Sequence, residues 1–157
     1  MKTQVQRNHP SQLEDHIGFW MRLISNSVSY GFAQKLEASG VTVAEWVVLR
    51  EMYENHNETS PSTVAELTGL TRGAISKLIA RLLEKQFVTR KEFSGDRRYQ
   101  QIKLTAKAVV LIPKLAQLAD ENDQEYFSGL SKKERHKLLE LLKKLAEQHQ
   151  IKKRPIE

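Results

Sequence analysis

The sequence predicts a mainly α fold carrying one small β-hairpin, and three observations lead there. Several stretches repeat apolar residues at spacings of three and four, the period of a helix with one buried face. Ser or Thr stands just before most of them, where a side-chain oxygen caps a helix N-terminus. Only FVTRKEF (87–93) and YQQIKL (99–104) alternate in the manner of strands, and SGDRR separates them.

Taken in order, residues 10–39 carry Leu13, Ile17, Trp20, Leu23, Ile24, Val28 and Phe32 as one stripe of a long helix that Gly40 ends. Phe19 and Tyr30 fall off that stripe, as on a helix covered by a second chain. Thr42 is the candidate cap of a second helix over 43–56. Ser60 with Pro61, or Ser62, opens a short helix through Leu67, and Gly69 supplies a turn. Thr71 then caps a helix whose Ile75, Leu78, Ile79, Leu82 and Leu83 form a buried stripe, leaving Gly73, Ser76, Lys77, Ala80, Arg81 and Glu84 opposite. That outer face is basic, with small residues between the charges. Two short helices joined by a glycine turn, the second presenting such a face, match a helix-turn-helix. Thr105 caps a long helix in which Pro113 is expected to cause a kink or an early break, and Gly129 ends it. Ser131 and Glu134 form a capping box for a last helix with Leu138, Leu141, Leu142 and Leu145 on one face. IKKRPIE is expected to be a frayed tail.

Charge locates the function. Of 25 Lys and Arg and 19 Asp and Glu in the 157 residues, ten and four lie between Ser60 and Lys107, leaving fifteen of each sign elsewhere. The net +6 therefore belongs to the helix-turn-helix and hairpin, which points to a polyanionic partner. Other classes fare worse. There is no HExxH, GxSxG or Walker loop, and the five histidines are scattered, so no enzyme is expected. Glu14, Asp15 and His16 are better read as a capped helix start than as metal ligands. Without cysteine there is no disulfide or thiolate zinc site, and no cofactor is expected. Lacking an apolar run of membrane-span length or a signal-like start, the chain reads as cytoplasmic.

A long helix, a helix-turn-helix, a two-stranded wing and two further long helices resemble the MarR family of winged helix-turn-helix transcriptional regulators from about residue 12 to 148. The most specific residues are Asp96, Arg97 and Arg98 followed by Ile102–Thr105, similar to the family's wing signature and helix start. Gln86 and Ala108 depart from it, standing where the family often has glycine. The resemblance implies one winged-helix domain over 1–157, with a DNA-binding lobe at about 42–104 and dimerisation helices at about 10–40 and 105–150. It implies that Arg98 enters the minor groove while Asp96 orients an arginine of the wing. A narrow A·T-rich groove concentrates negative potential and attracts a guanidinium, and Asp96 can hold one by a charge-assisted hydrogen bond. The expected DNA contacts are Thr71, Arg72, Gly73, Ser76, Lys77, Arg81, Arg97 and Arg98, on base edges or phosphates of double-stranded DNA. The expected assembly is a homodimer on a pseudo-palindromic operator, acting as a repressor. Family members commonly respond to a small aromatic effector, for which Phe19, Trp20, Trp46 and Met52 are the candidate pocket, though their commoner role is plain core. A winged helix that docks protein, or one that grips nucleic acid without sequence preference, is the alternative.

Overall fold

Helices α1 (Ile17–Glu37), α2 (Val43–Glu54), α3 (Pro61–Thr68), α4 (Arg72–Glu84), α5 (Ala106–Tyr126) and α6 (Lys132–Gln148) and strands β1 (Glu58–Thr59), β2 (Val88–Glu92) and β3 (Gln100–Leu104) make up the chain. This computed structural model describes residues 10–92 and 100–156. The antiparallel hairpin pairs Val88 with Leu104 through Glu92 with Gln100, and β1 adds a third strand that the sequence does not announce, giving the order β1-β3-β2.

The caps read from the sequence are those found. Thr42, Ser60, Thr71, Thr105 and Ser131 each accept a hydrogen bond from the backbone N–H three residues on, and Pro61 takes the first position of α3. Gly69 closes α3 at φ +72°, in the left-handed region where a side chain is strained. At Ser131 the hydroxyl, then the backbone N–H, bonds the Glu134 carboxylate and holds it below its ordinary pKa.

Two expectations need correction, and at Pro113 one of two alternatives falls away. The first helix begins at Ile17, not residue 10. Gln12 and Asp15 close a separate 3-10 turn over Leu13–Asp15, and Trp20 Nε1 donates to Glu14 O at 2.8 Å across the junction. Pro113 does not break α5, which runs on to Tyr126; Pro113 lies on the exposed side, so water can reach the backbone group it leaves unpaired, while Ile112 and Leu115 beside it are buried. The segment after α6 is not frayed. Gln150, at φ +52°, turns the chain back, and Arg154 reaches the lobe, its backbone N–H donating to Leu67 O at 2.9 Å.

One core joins Leu36 of α1, Val48, Leu49 and Met52 of α2, Ile75, Leu78, Ile79 and Leu82 of α4, Phe87, Ile102 and Leu104 of the hairpin, and Ile112 and Leu115 of α5. The lobe is thus seated directly on the start of α5. Farther along, α1 and α5 meet through polar contacts: Asn122, buried, donates to Val28 O at 3.1 Å and accepts from Lys35, and Tyr126 Oη donates to Ser27 O at 2.7 Å. Gly31 permits this approach, since a Cβ there would stand 2.8 Å from the Tyr126 ring. Among the described residues, nothing covers the remaining faces. Leu36 is the one described residue of α1 that is buried and α6 has none, so most of the predicted α1 stripe is exposed in the single chain.

Candidate nucleic-acid interface

α4 is held from within by its apolar stripe, buried as expected, with Leu83 partly so. This fixes what points outward. Arg72, Gly73, Ser76, Lys77, Ala80 and Arg81 are all exposed on one side of the helix, and nothing approaches within 4 Å of where a Gly73 Cβ would lie. A flat, basic, small-residue face of this kind can come close to a phosphate backbone or a groove floor.

The individual side chains differ in what they are free to do. Thr71 Oγ1 accepts from Ala74 N at 3.3 Å, so its first role is the cap, while its hydroxyl proton is available to an outside acceptor. Ser76 Oγ donates back to Arg72 O at 3.0 Å and can still accept. The Arg81 guanidinium lies 3.8 Å from a carboxylate oxygen of Glu45 and is about half exposed, tethered loosely at the C-terminal end of the face. Asp96, Arg97 and Arg98 lie outside the described residues. Arg90 and Lys91 are exposed on β2.

The end of α4 is built by residues that the sequence pattern did not single out. Lys85 Nζ is 2.8 Å from both oxygens of Glu45 and from Gly40 O, and Glu45 is fully buried. Glu45 also caps α2, accepting from Thr42 N at 2.9 Å. One carboxylate thus ties the start of α2 to the end of the recognition helix. The spacing Thr42-x-x-Glu45 is a capping-box signal that could have flagged Glu45, whereas nothing local flags Lys85. Gln86, which stands where the family often has glycine, then takes the left-handed conformation itself, at φ +58°. Phe87 N donates to Leu82 O at 2.9 Å and Gln86 N to Leu83 O at 3.0 Å, the paired bonds of a Schellman end. Phe87 and Leu82, both buried, supply its hydrophobic contact.

The aromatic candidates do not converge in one chain. Phe19 and Trp20 meet edge to face near the start of α1, Trp46 packs edge to face on Phe32, and Met52 belongs to the lobe core. About 20 Å of helix separates Phe19 from Phe32. A cavity of about 580 Å³ lies elsewhere, bounded by Met52 and Glu51 of α2, Thr63 and Leu67 of α3, and Gln100 and Gln101 of β3.

This architecture is that of a winged helix-turn-helix fold, with α4 in the position of the recognition helix and a wing made by β2 and β3. Residues 39–98 match the MarR family model. The whole fold is similar to the organohalide-sensing RdhR-CbdbA1625 transcriptional regulator bound to 2,4-dichlorophenol, with TM-score 0.76 and 16% identity over 97% of this chain and 96% of that one. It is also similar to Bordetella bronchiseptica BpsR, whose DNA binding is regulated by 6-hydroxynicotinic acid (TM-score 0.74, 24% identity, 88% and 98% covered). A mutant MarR from E. coli in complex with operator DNA superposes with TM-score 0.72 at 24% identity, with 86% and 99% covered. The segment that carries the helix-turn-helix and the start of the wing is thus similar to the MarR family, and the chain shares the fold of these regulators. Among the described residues, no helix is long and apolar enough to cross a membrane.

Proposed function

We propose that the protein is a homodimeric repressor that reads a pseudo-palindromic operator through α4 and the wing and is released by a small aromatic ligand. The observation that carries this reading is a division of surfaces. The exposed basic face of α4 serves DNA, and the exposed apolar faces of α1 and α6 serve a second copy. Leu13, Ile17, Trp20, Leu23 and Ile24 are 48–77% exposed, and Leu138, Leu139, Leu141, Leu142 and Leu145 are 37–51% exposed. Monomeric proteins rarely leave so much contiguous apolar surface in water. A two-fold dimer would set the recognition helices one DNA turn apart, about 34 Å.

In this dimer Arg72, Lys77 and Arg81 grip phosphates or guanine edges, Thr71, Gly73 and Ser76 allow close approach, and Arg97 and Arg98 enter the minor groove with Asp96 orienting one of them. The 2,4-dichlorophenol and 6-hydroxynicotinic acid of the relatives support an aromatic effector. It would act by binding one spacing of the lobes better than the other; Phe19, Trp20, Trp46 and Met52 do not form one pocket within a single chain, so any aromatic site they serve would have to be completed in the dimer. The test is titration of a selected operator duplex at several salt concentrations. Arg98→Ala is expected to weaken specific binding by about 1–3 kcal/mol with the dimer intact. Lys77→Ala is expected to lower the salt slope by about one per protomer. Unchanged affinity and slope in both variants would take α4 and the wing out of the mechanism. A thermal-shift screen of small aromatic acids and phenols tests the effector, and no stabilisation by any of them would remove it.

A further inference from the structure

The segment after α6, residues 151–156, lies against the helix-turn-helix in a way that the family comparison, which matches 39–98, does not address. α6 ends in a second Schellman turn, with Ile151 N donating to Ala146 O at 2.9 Å and Gln150 N to Glu147 O at 3.0 Å, and Gln150 left-handed. That turn sends Lys152, Lys153 and Arg154 back to the lobe. Arg154 is fixed at two points. Its backbone N–H satisfies Leu67 O, one of the carbonyls that the end of α3 leaves without a helical partner, and its Nε pairs with Glu51 of α2 at 2.8 Å. Lys153 is thereby laid across Gly69, with its Cδ, Nζ and Cε 2.8–3.0 Å from where a Cβ at that glycine would be.

Gly69 is two residues before Thr71, the cap of α4, so the Lys153 ammonium stands within roughly 10 Å of the start of the recognition helix. Among the described residues no carboxylate pairs with it, whereas the Arg154 charge is met by Glu51. An exposed cation held by a bonded backbone at the rim of a groove-reading helix is placed to neutralise a phosphate at little entropic cost. We propose that this segment is part of the DNA-binding apparatus, with Lys153 contacting a backbone phosphate beside the N-terminus of α4 and Arg154, through Glu51 and Leu67, positioning it. The proposal rests on α4 as the helix that meets DNA.

The experiment measures binding of the full-length protein, by fluorescence anisotropy across a potassium chloride series, to a duplex selected from genomic fragments and to a scrambled duplex of equal length. Lys153→Gln should weaken both about fivefold per protomer in 0.1 M salt, lower the salt slope by about 0.9 per protomer and leave the ratio of the two affinities unchanged. Glu51→Gln separates positioning from bulk charge. It removes a negative charge, so bulk electrostatics alone predict tighter binding, whereas release of Arg154 predicts weaker binding with the melting temperature of the lobe retained. An unchanged slope in Lys153→Gln beside a lowered slope in Lys77→Gln overturns the phosphate contact and leaves the α4 reading standing. Tighter binding by Glu51→Gln overturns the positioning role. No change in Lys77→Gln overturns the α4 reading and this proposal with it.

Discussion

Replacing Lys85 with methionine keeps most of the side-chain volume and removes one charge, and the consequence can be worked out from its surroundings. In the native fold the buried Glu45 carboxylate has Lys85 Nζ 2.8 Å from both oxygens, Thr42 N at 2.9 Å and Arg81 Nε at 3.8 Å. The substitution leaves the backbone N–H and the looser guanidinium, and it strips Gly40 O of a 2.8 Å donor. Stranding a buried charge by removing its partner costs about 3–5 kcal/mol. Lys85 is 32% exposed, so some water already reaches the pair, and the lower end, about 3 kcal/mol, is expected. For a chain of this size that is a fall of about 6–12 °C in melting temperature, read by circular dichroism at fixed protomer concentration. Glu45→Met on the Lys85→Met background removes the stranded charge and should recover more than half of the loss. A Lys85→Met protein melting within about 2 °C of wild type, or a double variant no better than the single one, would refute the idea that this pair clamps α4 to α2.

Gln86→Gly should stabilise the protein by about 1 kcal/mol, because it relieves a left-handed non-glycine residue while the bond that the Thr105 hydroxyl donates to the residue 86 carbonyl at 2.8 Å is kept; chemical denaturation measures it. Leu141→Glu, on the bare face of α6, should shift the protein from dimer to monomer in sedimentation at micromolar concentration with its helicity retained. The lowered Glu134 carboxyl makes the α6 cap pH-dependent: its contribution is complete above the ordinary glutamate pKa and is lost as pH falls through the lowered folded value, so Ser131→Ala should move the Glu134 titration, followed by NMR, upward.

What was legible in the sequence was what neighbouring residues decide. Five caps, the glycine turn at Gly69 and the period of α4 depend on contacts within a few positions, and they appear where the pattern put them. β1 escaped because two residues cannot show an alternation, and its pairing with β3 joins positions 58 and 103. The Glu45–Lys85 clamp and the return of Arg154 to Glu51 are long-range pairings of ordinary charged residues, with no local signature beyond the capping box. Gln86 shows a different limit. Glycine is the cheapest residue at a left-handed helix end, but the two Schellman bonds and the Leu82–Phe87 contact outweigh the strain on another residue. At the candidate interface the face of α4 was legible, whereas the loose tether of Arg81 to Glu45 was not.

Sequence-specific recognition of DNA by a two-fold dimer is tested most directly by selection of genomic fragments with the purified protein at near-physiological salt. Enrichment of a short inverted repeat with half-site centres about one helical turn apart, lost in Arg98→Ala, is the predicted result. Salt-sensitive retention with no enriched sequence, or no retention at all, would contradict it.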